Sequence, residues 1–342
     1  MASAPTDTLD ADYGALVEGC GVLDRSERGK LALSGAGALE FLNGQVTNEL
    51  SGLRPGEGRY AAFLTHKGKM LGDLRILAVG HDAGSAATES AAEGAADEAP
   101  AELLLDTERA ALQALFDMIR RFKLGYEVEL HKRTLERGLL SLIGPRATSV
   151  AGAERLADAE HANAGVLIDG IAALAVRTDV GVDLLCTAAD TAQLTAALLA
   201  RGATPVSERA AECVRIEHGR PRFGIDVDET VIPQEAGLNE RAVSFTKGCY
   251  VGQETVARLH YKGRPNRHLR GLRLSEPAAT GEQLLLGERA VGHVGSAAVS
   301  PRLGPIALAL VRREAEPGSV VSVGASSRGA SAEVLELPFP AR

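Results

Sequence analysis

The chain has 342 residues, of which 45% are hydrophobic and 24% charged, and a formal net charge of -8 at pH 7. This length predicts two or three domains, and the ordinary composition excludes a disordered or fibrous protein. The acidic balance and the aromatic content of 4% exclude a protein that coats nucleic acid or an anionic membrane over its whole surface. Because no stretch approaches about 18 consecutive apolar residues and the N-terminus lacks a signal pattern, we expect a cytoplasmic protein with neither membrane nor DNA as a partner.

The first 140 residues read as a lobe of alternating strands and helices. A strand, a glycine turn and a helix are predicted over 29–50, and two apolar runs around a glycine turn predict a central hairpin over 59–80. Residues 81–102 are rich in alanine and acids and hold no Lys or Arg, which predicts a disordered insertion. A strand, a helix and a strand follow, and helical spacing predicts that the helix buries Leu112, Leu115, Phe116 and Ile119.

Residues 141–262 repeat this order, with three predicted strands and a helix over 191–201, and a further helix follows Ser207. From 263 to 342 short apolar runs alternate with Gly, Pro and Ser about every eight to twelve residues, a pattern typical of a small β-barrel. The sequence therefore predicts two α/β lobes and a C-terminal barrel.

The four cysteines lie far apart and form no CxxC pair, which excludes a disulfide framework and gives no reason to expect a metal site. Cys186 lies in an apolar strand and Cys213 within a helix, so both are expected in the core. Cys249, in "KGCYVGQETVAR", follows Lys247 and precedes a predicted helix, whose charges would favour a thiolate. These residues leave two interpretations open, a reactive thiol or a small side chain that fills an apolar gap.

Residues 255–273 carry six Lys or Arg residues and no acid. This local charge suits a polyanion such as RNA phosphates or a polyglutamate tail, but it also suits an exposed interdomain linker. Asp73 follows the hairpin turn, where an aspartate serves as a turn residue or as a base. Asp183 lies in an apolar strand and needs a partner, either a ligand or a neighbouring arginine.

The motif "KGCYVGQE", preceded by "RIEHGRPRFGIDVDETVIPQEAGLN" and followed by "VARLHYKGR", resembles the YgfZ folate-binding proteins. The blocks "FLNGQVTNEL", "KGKMLGDLRI" and "RRFKL" are similar to the same family and, more weakly, to the aminomethyltransferase (T-protein) of the glycine cleavage system. The resemblance implies an α+β fold, a T-protein-like cloverleaf of two ferredoxin-like α/β lobes and a C-terminal small β-barrel around a channel that binds tetrahydrofolate.

The resemblance also implies a role in the maturation or repair of iron-sulfur proteins, including those that act in tRNA thiolation. Iron-sulfur client proteins, and tRNA held weakly through residues 258–273, would be the partners. The motif marks Lys247 and Cys249 as the reactive residues. The residues expected to bind the folate are Asp73, Asp183, Tyr250, Gln253, Glu254 and Arg258.

The alternative is a folate-dependent aminomethyltransferase or another one-carbon transfer enzyme, so the sequence leaves open whether the protein is an enzyme. The pterin-holding glutamate of the aminomethyltransferase matches Asp183, and its paired aspartates match Gly72 and Asp73. One aspartate is therefore absent. An arginine of that enzyme is replaced by alanine, with Arg209 nearby. These departures disfavour aminomethyl transfer, but the resemblance still implies a folate pocket.

Overall fold

The computed structural model describes residues 5–80, 99–324 and 329–340. Within these residues it contains a five-stranded sheet, a six-stranded sheet and a closed six-stranded barrel. The predicted α+β fold with two lobes and a C-terminal barrel is confirmed. Most of the predicted insertion, residues 81–98, lies outside the described residues, and its last residue, Glu102, already begins a strand.

The described residues form eight α-helices: α1 Pro5–Glu18, α2 Ala38–Asn43, α3 Leu112–Phe122, α4 Ala147–Val150, α5 Thr191–Ala200, α6 Glu208–Glu217, α7 Asn239–Ala242 and α8 Gln253–Lys262. The strands of the two lobes are β1 Gly21–Asp24, β2 Gly29–Ser34, β3 Gly58–Leu64, β4 Met70–Val79, β5 Glu102–Thr107, β6 Glu129–Lys132, β7 Arg137–Ile143, β8 Asn163–Ile168, β9 Ile171–Arg177, β10 Gly181–Thr187 and β11 Thr204–Pro205. The barrel strands are β12 Arg267–Leu274, β13 Gln283–Leu286, β14 Arg289–Ser300, β15 Gly304–Arg312, β16 Val320–Val323 and β17 Ser331–Leu335. None of the described helices is long and apolar enough to cross a membrane.

The first sheet has the strand order β3-β4-β5-β2-β6. The predicted hairpin is its β3–β4 pair, which is antiparallel. Helix α3 packs on this sheet through Leu115, Met118 and Ile119. Leu112 and Phe116 are only partly buried, so the prediction of the buried helix face is half right. Met118 takes their place because it lies one helical turn from Leu115 on the same side.

The second sheet has the order β11-β1-β7-β10-β9-β8. The sequence analysis divides the two lobes into residues 1–140 and 141–262, and two segments pack in the other lobe. Strand β1 joins this second sheet by pairing with β7 and β11, although it precedes residue 140. Residues 242–256 contribute to the hydrophobic core of the first lobe, although they precede residue 262. Sheet membership depends on pairings between distant residues, which local periodicity does not record.

The barrel closes in the order β12-β15-β14-β13-β16-β17 and has its own apolar core. A buried carboxylate connects it to the helices. Glu217 of α6 accepts hydrogen bonds from the Tyr13 hydroxyl of α1 at 2.9 Å and from Arg302 of the barrel at 2.9 Å. Ser300 donates a third hydrogen bond to the same carboxylate. This contact fixes the N-terminal helix, α6 and the barrel to one another.

Candidate functional site in the cavity between the two sheets

A cavity of about 1020 Å³, including its open mouth, lies between the first sheet, the second sheet and α6. Its lining includes six arginines and five acidic residues. Both predicted cavity carboxylates, Asp73 and Asp183, are among them. Ionisable side chains from both lobes therefore meet in this cavity.

The first sheet supplies Tyr60, Asp73 and Arg75 to the cavity. Tyr60 of β3 lies opposite Arg75 of β4, and Asp73 is two residues from Arg75, so the three side chains share one face of the sheet. The Tyr60 hydroxyl donates a hydrogen bond of 2.8 Å to Asp73 Oδ2. Burial raises the pKa of Asp73 to about 6, against the opposing effect of the Tyr60 hydrogen bond. The Asp73 carboxyl can thus gain or lose a proton near neutral pH.

A network of arginines and aspartates lies deeper in the cavity wall. Arg75 Nη1 contacts Asp183 Oδ2 at 2.6 Å, and Arg75 Nε contacts Asp106 Oδ2 at 2.7 Å. Arg28 Nε binds the other oxygen of Asp106 at 2.9 Å. Burial alone would raise the pKa of the fully buried Asp106, but Arg28 and Arg75 hold it well below its usual range. The partner that Asp183 needs is therefore Arg75, the second of the two options that the sequence left open.

Two further ion pairs line the cavity, Arg241–Glu160 and Arg220–Asp179. Arg241 pairs with Glu160, and its guanidinium lies 5.0 Å from the centre of the Tyr60 ring. Arg220 Nε donates to Asp179 Oδ2 at 2.6 Å. Helix α6 contributes Ala211, Val214 and Arg215 to the lining.

The "KGCYVGQE" segment lies on the first lobe, at the hairpin turn between β3 and β4. Gly252, with a φ of 85°, precedes α8, and a Cβ there would lie 2.6 Å from the Thr65 carbonyl oxygen. Gly68 of the hairpin also lies close to α8, since a Cβ at Gly68 would lie 2.8 Å from the Thr255 side chain. Glycine at both positions allows the turn and the helix start to touch.

The side chain of Lys247 is buried, whereas that of Cys249 is exposed to solvent. The Lys247 ammonium is buried and donates to the carbonyl oxygens of Asn43, Val46 and Asn48 at 2.7, 2.9 and 2.6 Å. Burial lowers its pKa to about 8. Cys249 is exposed, whereas the other three cysteines are buried. The expected activation of Cys249 by Lys247 therefore finds no support in the lysine's contacts, because its ammonium is held by the 43–48 loop.

The remaining predicted folate residues also lie in this segment, away from Asp73 and Asp183. Tyr250 is buried under the Lys247 ammonium, which lies 5.3 Å from its ring centre. Gln253 donates weakly to the Gly248 carbonyl at 3.4 Å, and Glu254 and Arg258 are exposed on α8. None of the motif residues 247–254, nor Arg258, lines the central cavity. Their folate-binding role remains a prediction.

The basic segment divides into a paired part and an unpaired part. The paired arginines Arg267, Arg270 and Arg273 contact Glu235, Glu336 and Glu333. Arg258, Lys262 and Arg264 are exposed and form no ion pair with the described part of the chain. Beside them Phe245 stacks on His260 at 3.7 Å, and Tyr261 meets His260 edge-on.

Sequence reasoning missed four residues that line the cavity, Arg28, Tyr60, Arg75 and His161. It also missed Asp106, which is fully buried behind Arg28 and Arg75. For Arg75 and Asp106 a signal exists, because each is a charged residue inside an apolar strand and so requires a buried partner. His161 lies in an irregular stretch before β8, and no local pattern marks it.

Comparison with protein families gives two matches in order along the chain. Residues 3–247 match the family described as the GCVT N-terminal domain, and residues 267–340 match the glycine cleavage T-protein C-terminal barrel domain. The second match corresponds to the closed barrel described above.

Individual relatives agree with this result. The chain is 28% identical to an aminomethyltransferase of Geobacillus kaustophilus, covering 97% of this chain and 90% of the relative. It is 26% identical to a putative chloroplastic transferase of Arabidopsis thaliana, covering 98% and 75%. The crystal structure of aminomethyltransferase T of the glycine cleavage system from Bartonella henselae superposes with a TM-score of 0.81 at 23% identity, over 97% of this chain and 89% of that chain, which shows a shared fold.

Proposed function

Because the chain belongs to the glycine cleavage T-protein family, we propose that it binds a tetrahydrofolate in the central cavity and acts in one-carbon transfer. Tetrahydrofolate is the cofactor of this family, in agreement with the cofactor expected from the sequence. The observation that carries the proposal is the buried Asp73 carboxyl, which faces the cavity with a pKa of about 6.

The side chains of the cavity fit a folate. The carboxylates of Asp73 and Asp183 are acceptors of the kind that bind the N–H edge of a pterin ring. Asp183 uses Oδ2 for Arg75, and its Oδ1 forms no hydrogen bond with the described residues. The site can thus receive N–H donors without breaking the ion pair.

The protein groups then have distinct tasks in the proposed reaction. Tetrahydrofolate, when bound, supplies the nitrogen atoms that carry one-carbon units. Asp73 exchanges a proton with the reacting group, because its pKa near 6 places both protonation states within reach at neutral pH. Tyr60 holds one carboxyl oxygen of Asp73 and thereby fixes its direction. Arg75 holds Asp183 Oδ2 in an ion pair and thereby fixes the direction of the carboxylate.

Two measurements test this proposal. Calorimetry with 5-formyltetrahydrofolate, a stable folate, should show binding to the wild-type protein. Incubation with tetrahydrofolate and the aminomethylated carrier protein of glycine cleavage should release ammonia, and Asp73→Asn should lower that rate at least about 100-fold, as loss of a general acid or base does. The matched control is Asp158→Asn, at an exposed aspartate away from the cavity. Absence of folate binding, or equal turnover in Asp73→Asn, overturns the proposal.

The second candidate is a role in maturation or repair of iron-sulfur proteins, as the resemblance to YgfZ proteins implies. Its support is the exposed Cys249 in "KGCYVGQE", which a packing role does not explain. The cytoplasmic location that the sequence predicts belongs to this proposal as well. In a strain that lacks the protein, Cys249→Ala should fail to restore iron-sulfur enzyme activity and tRNA thiolation, whereas Thr246→Ala, an exposed neighbour, should restore both. Full rescue by Cys249→Ala contradicts this candidate.

A weak tRNA contact belongs to the second candidate. The unpaired cations Arg258, Lys262 and Arg264 supply its charge. Replacing all three by alanine should weaken tRNA binding and flatten its salt dependence, since each phosphate contact contributes to the slope. Arg273→Ala, which removes a cation already paired with Glu333, is the control and should change neither quantity. An unchanged salt dependence in the triple variant removes tRNA as a partner.

A further inference from the structure

Two buried polar side chains of the cavity wall have no hydrogen-bond partner. Ser141 is 1% exposed and His161 is 6% exposed. The Ser141 hydroxyl and both ring nitrogens of His161 are unpaired, and both residues line the central cavity. Buried polar groups in proteins are nearly always paired, because leaving one unpaired costs about 1–3 kcal/mol. A cavity that places two such groups in its wall is built for a ligand that pairs them.

Ser141 lies beside the predicted folate carboxylate. In the second sheet Ser141 of β7 is directly opposite Asp183 of β10. Directly opposed residues of antiparallel strands project from the same face, so the hydroxyl and the carboxylate lie next to each other on one wall. The Ser141 hydroxyl can donate a hydrogen bond and the Asp183 carboxylate can accept hydrogen bonds from the same edge of a planar ligand.

The backbone and its neighbours fix the position of His161. Its φ of 70° is left-handed, an uncommon conformation for a residue with a side chain and one that clusters at binding sites. Its backbone N–H donates to the Arg177 carbonyl at 2.9 Å. The same segment packs closely on Gly58, where an added Cβ would lie 2.5 Å from the His161 carbonyl oxygen. The ring stands 6.1 Å from the ring of Tyr60.

The imidazole of His161 is held neutral. Burial lowers its pKa to about 3, and the positive charges of Arg75 and Arg241 act in the same direction. A neutral imidazole presents one N–H donor and one nitrogen acceptor. Neither it nor the Ser141 hydroxyl adds charge to the cavity.

We infer that Ser141 and His161 bind the ligand directly, by hydrogen bonds to the polar edge of a folate's pterin ring. A planar ring with N–H donors, ring nitrogens and a carbonyl matches a hydroxyl and a neutral imidazole. A free phosphate matches them poorly, since the nearby Arg75 and Arg241 already pair with Asp183 and Glu160. This inference rests on the proposed folate binding and adds two binding residues to it.

Ser141→Ala and His161→Phe test the inference in the full-length protein. Each should weaken binding of 5-formyltetrahydrofolate about 3- to 10-fold, the effect of one lost hydrogen bond. The same loss should appear with 6-hydroxymethylpterin and not with p-aminobenzoylglutamate, because only the first contains the pterin. His161→Asn, which tolerates the left-handed backbone, replaces His161→Phe if that variant does not fold. The matched controls are Ser34→Ala and His131→Phe, which remove a serine and a histidine that bond to each other at 2.8 Å outside this cavity.

The ligand-free protein provides a second measurement. Ser141→Ala removes an unpaired buried hydroxyl, so the melting temperature without ligand should stay the same or rise while affinity falls. A residue with a purely structural role would lower both. If the wild type binds the folate and the variants bind it equally well, the inference is wrong and folate binding stands. If the wild type binds none of the three probes, both are wrong.

Discussion

Arg75 of the first sheet and Asp183 of the second form an ion pair of 2.6 Å between the two lobes, in the wall of the cavity. The same guanidinium holds Asp106, which is fully buried. One arginine therefore neutralises a carboxylate from each lobe. Because Arg75 and Asp183 also line the cavity, the same ion pair holds the two lobes together and fixes part of the ligand site.

Removal of that arginine should strongly destabilise the protein. Arg75→Leu leaves Asp183 without its partner and Asp106 with Arg28 alone, and breaking a buried pair costs about 3–5 kcal/mol. Urea denaturation measures the loss in free energy of unfolding. Arg273→Leu, which breaks an exposed pair with Glu333 whose side chains are 44% and 41% exposed, should cost less than about 1 kcal/mol. Equal losses in the two variants would show that the Arg75 pair is not buried as described.

Asp73 predicts a specific dependence of stability on pH. Its pKa is about 6 in the folded protein and about 3.9 in an unfolded chain. Between these values the folded state binds more protons, so the contribution of Asp73 to stability falls as pH rises from about 4 to about 6. Asp73→Asn removes this penalty and should stabilise the protein by about 2–3 kcal/mol at pH 7, and by little below pH 4.

Burial is the main cause of the raised pKa of Asp73, and the charged groups that face it adjust this value. Beyond burial and the Tyr60 hydrogen bond, Glu108 and Asp106 raise it and Arg28 lowers it. Because other groups also titrate, the measurement is the difference in unfolding free energy between wild type and Asp73→Asn across pH 4–7. A difference that does not change with pH contradicts the raised pKa.

Lys247 should stabilise the fold rather than tune the neighbouring thiol. Lys247→Met leaves three carbonyl oxygens of residues 43–48 without their donor, which should cost about 2–3 kcal/mol. Lys262→Met, at an exposed lysine of α8, is the control and should stay within about 0.5 kcal/mol of wild type. Near wild-type stability of Lys247→Met combined with slower alkylation of Cys249 would instead support the activation that the sequence suggested.

The sequence predicts the fold better than the site, for physical reasons. Strand and helix periodicity is local, so the β3–β4 hairpin, α3 and the barrel strands follow from it. The requirement that Asp183 have a partner is also local, but the identity of Arg75, 108 residues away, is not. Adjacency in sequence misleads at Lys247, because its long side chain reaches carbonyls about 200 residues away. His161 depends on the packing of two lobes and leaves no local signal.

The exposure of the cysteines predicts their reactivity. Cys249 is exposed, whereas Cys20, Cys186 and Cys213 are buried. Burial also raises the pKa of Cys20 and of Cys213 to about 11, which further suppresses their thiolates. A thiol reagent such as DTNB should therefore modify one thiol rapidly in the native protein. The other three should react only as fast as the structure opens.

Two variants and a measurement in denaturant identify the thiol that reacts rapidly. Cys249→Ser should abolish the rapid phase and leave the slow phase unchanged, whereas Cys20→Ser should leave the rapid phase intact. In denaturant the wild type should titrate all four thiols, because unfolding removes the burial that separates them. A second rapid thiol in the native protein would contradict the burial of the core cysteines. A single rapid thiol that is lost in Cys249→Ser identifies Cys249 as the thiol accessible to a protein client, as the second proposed function requires.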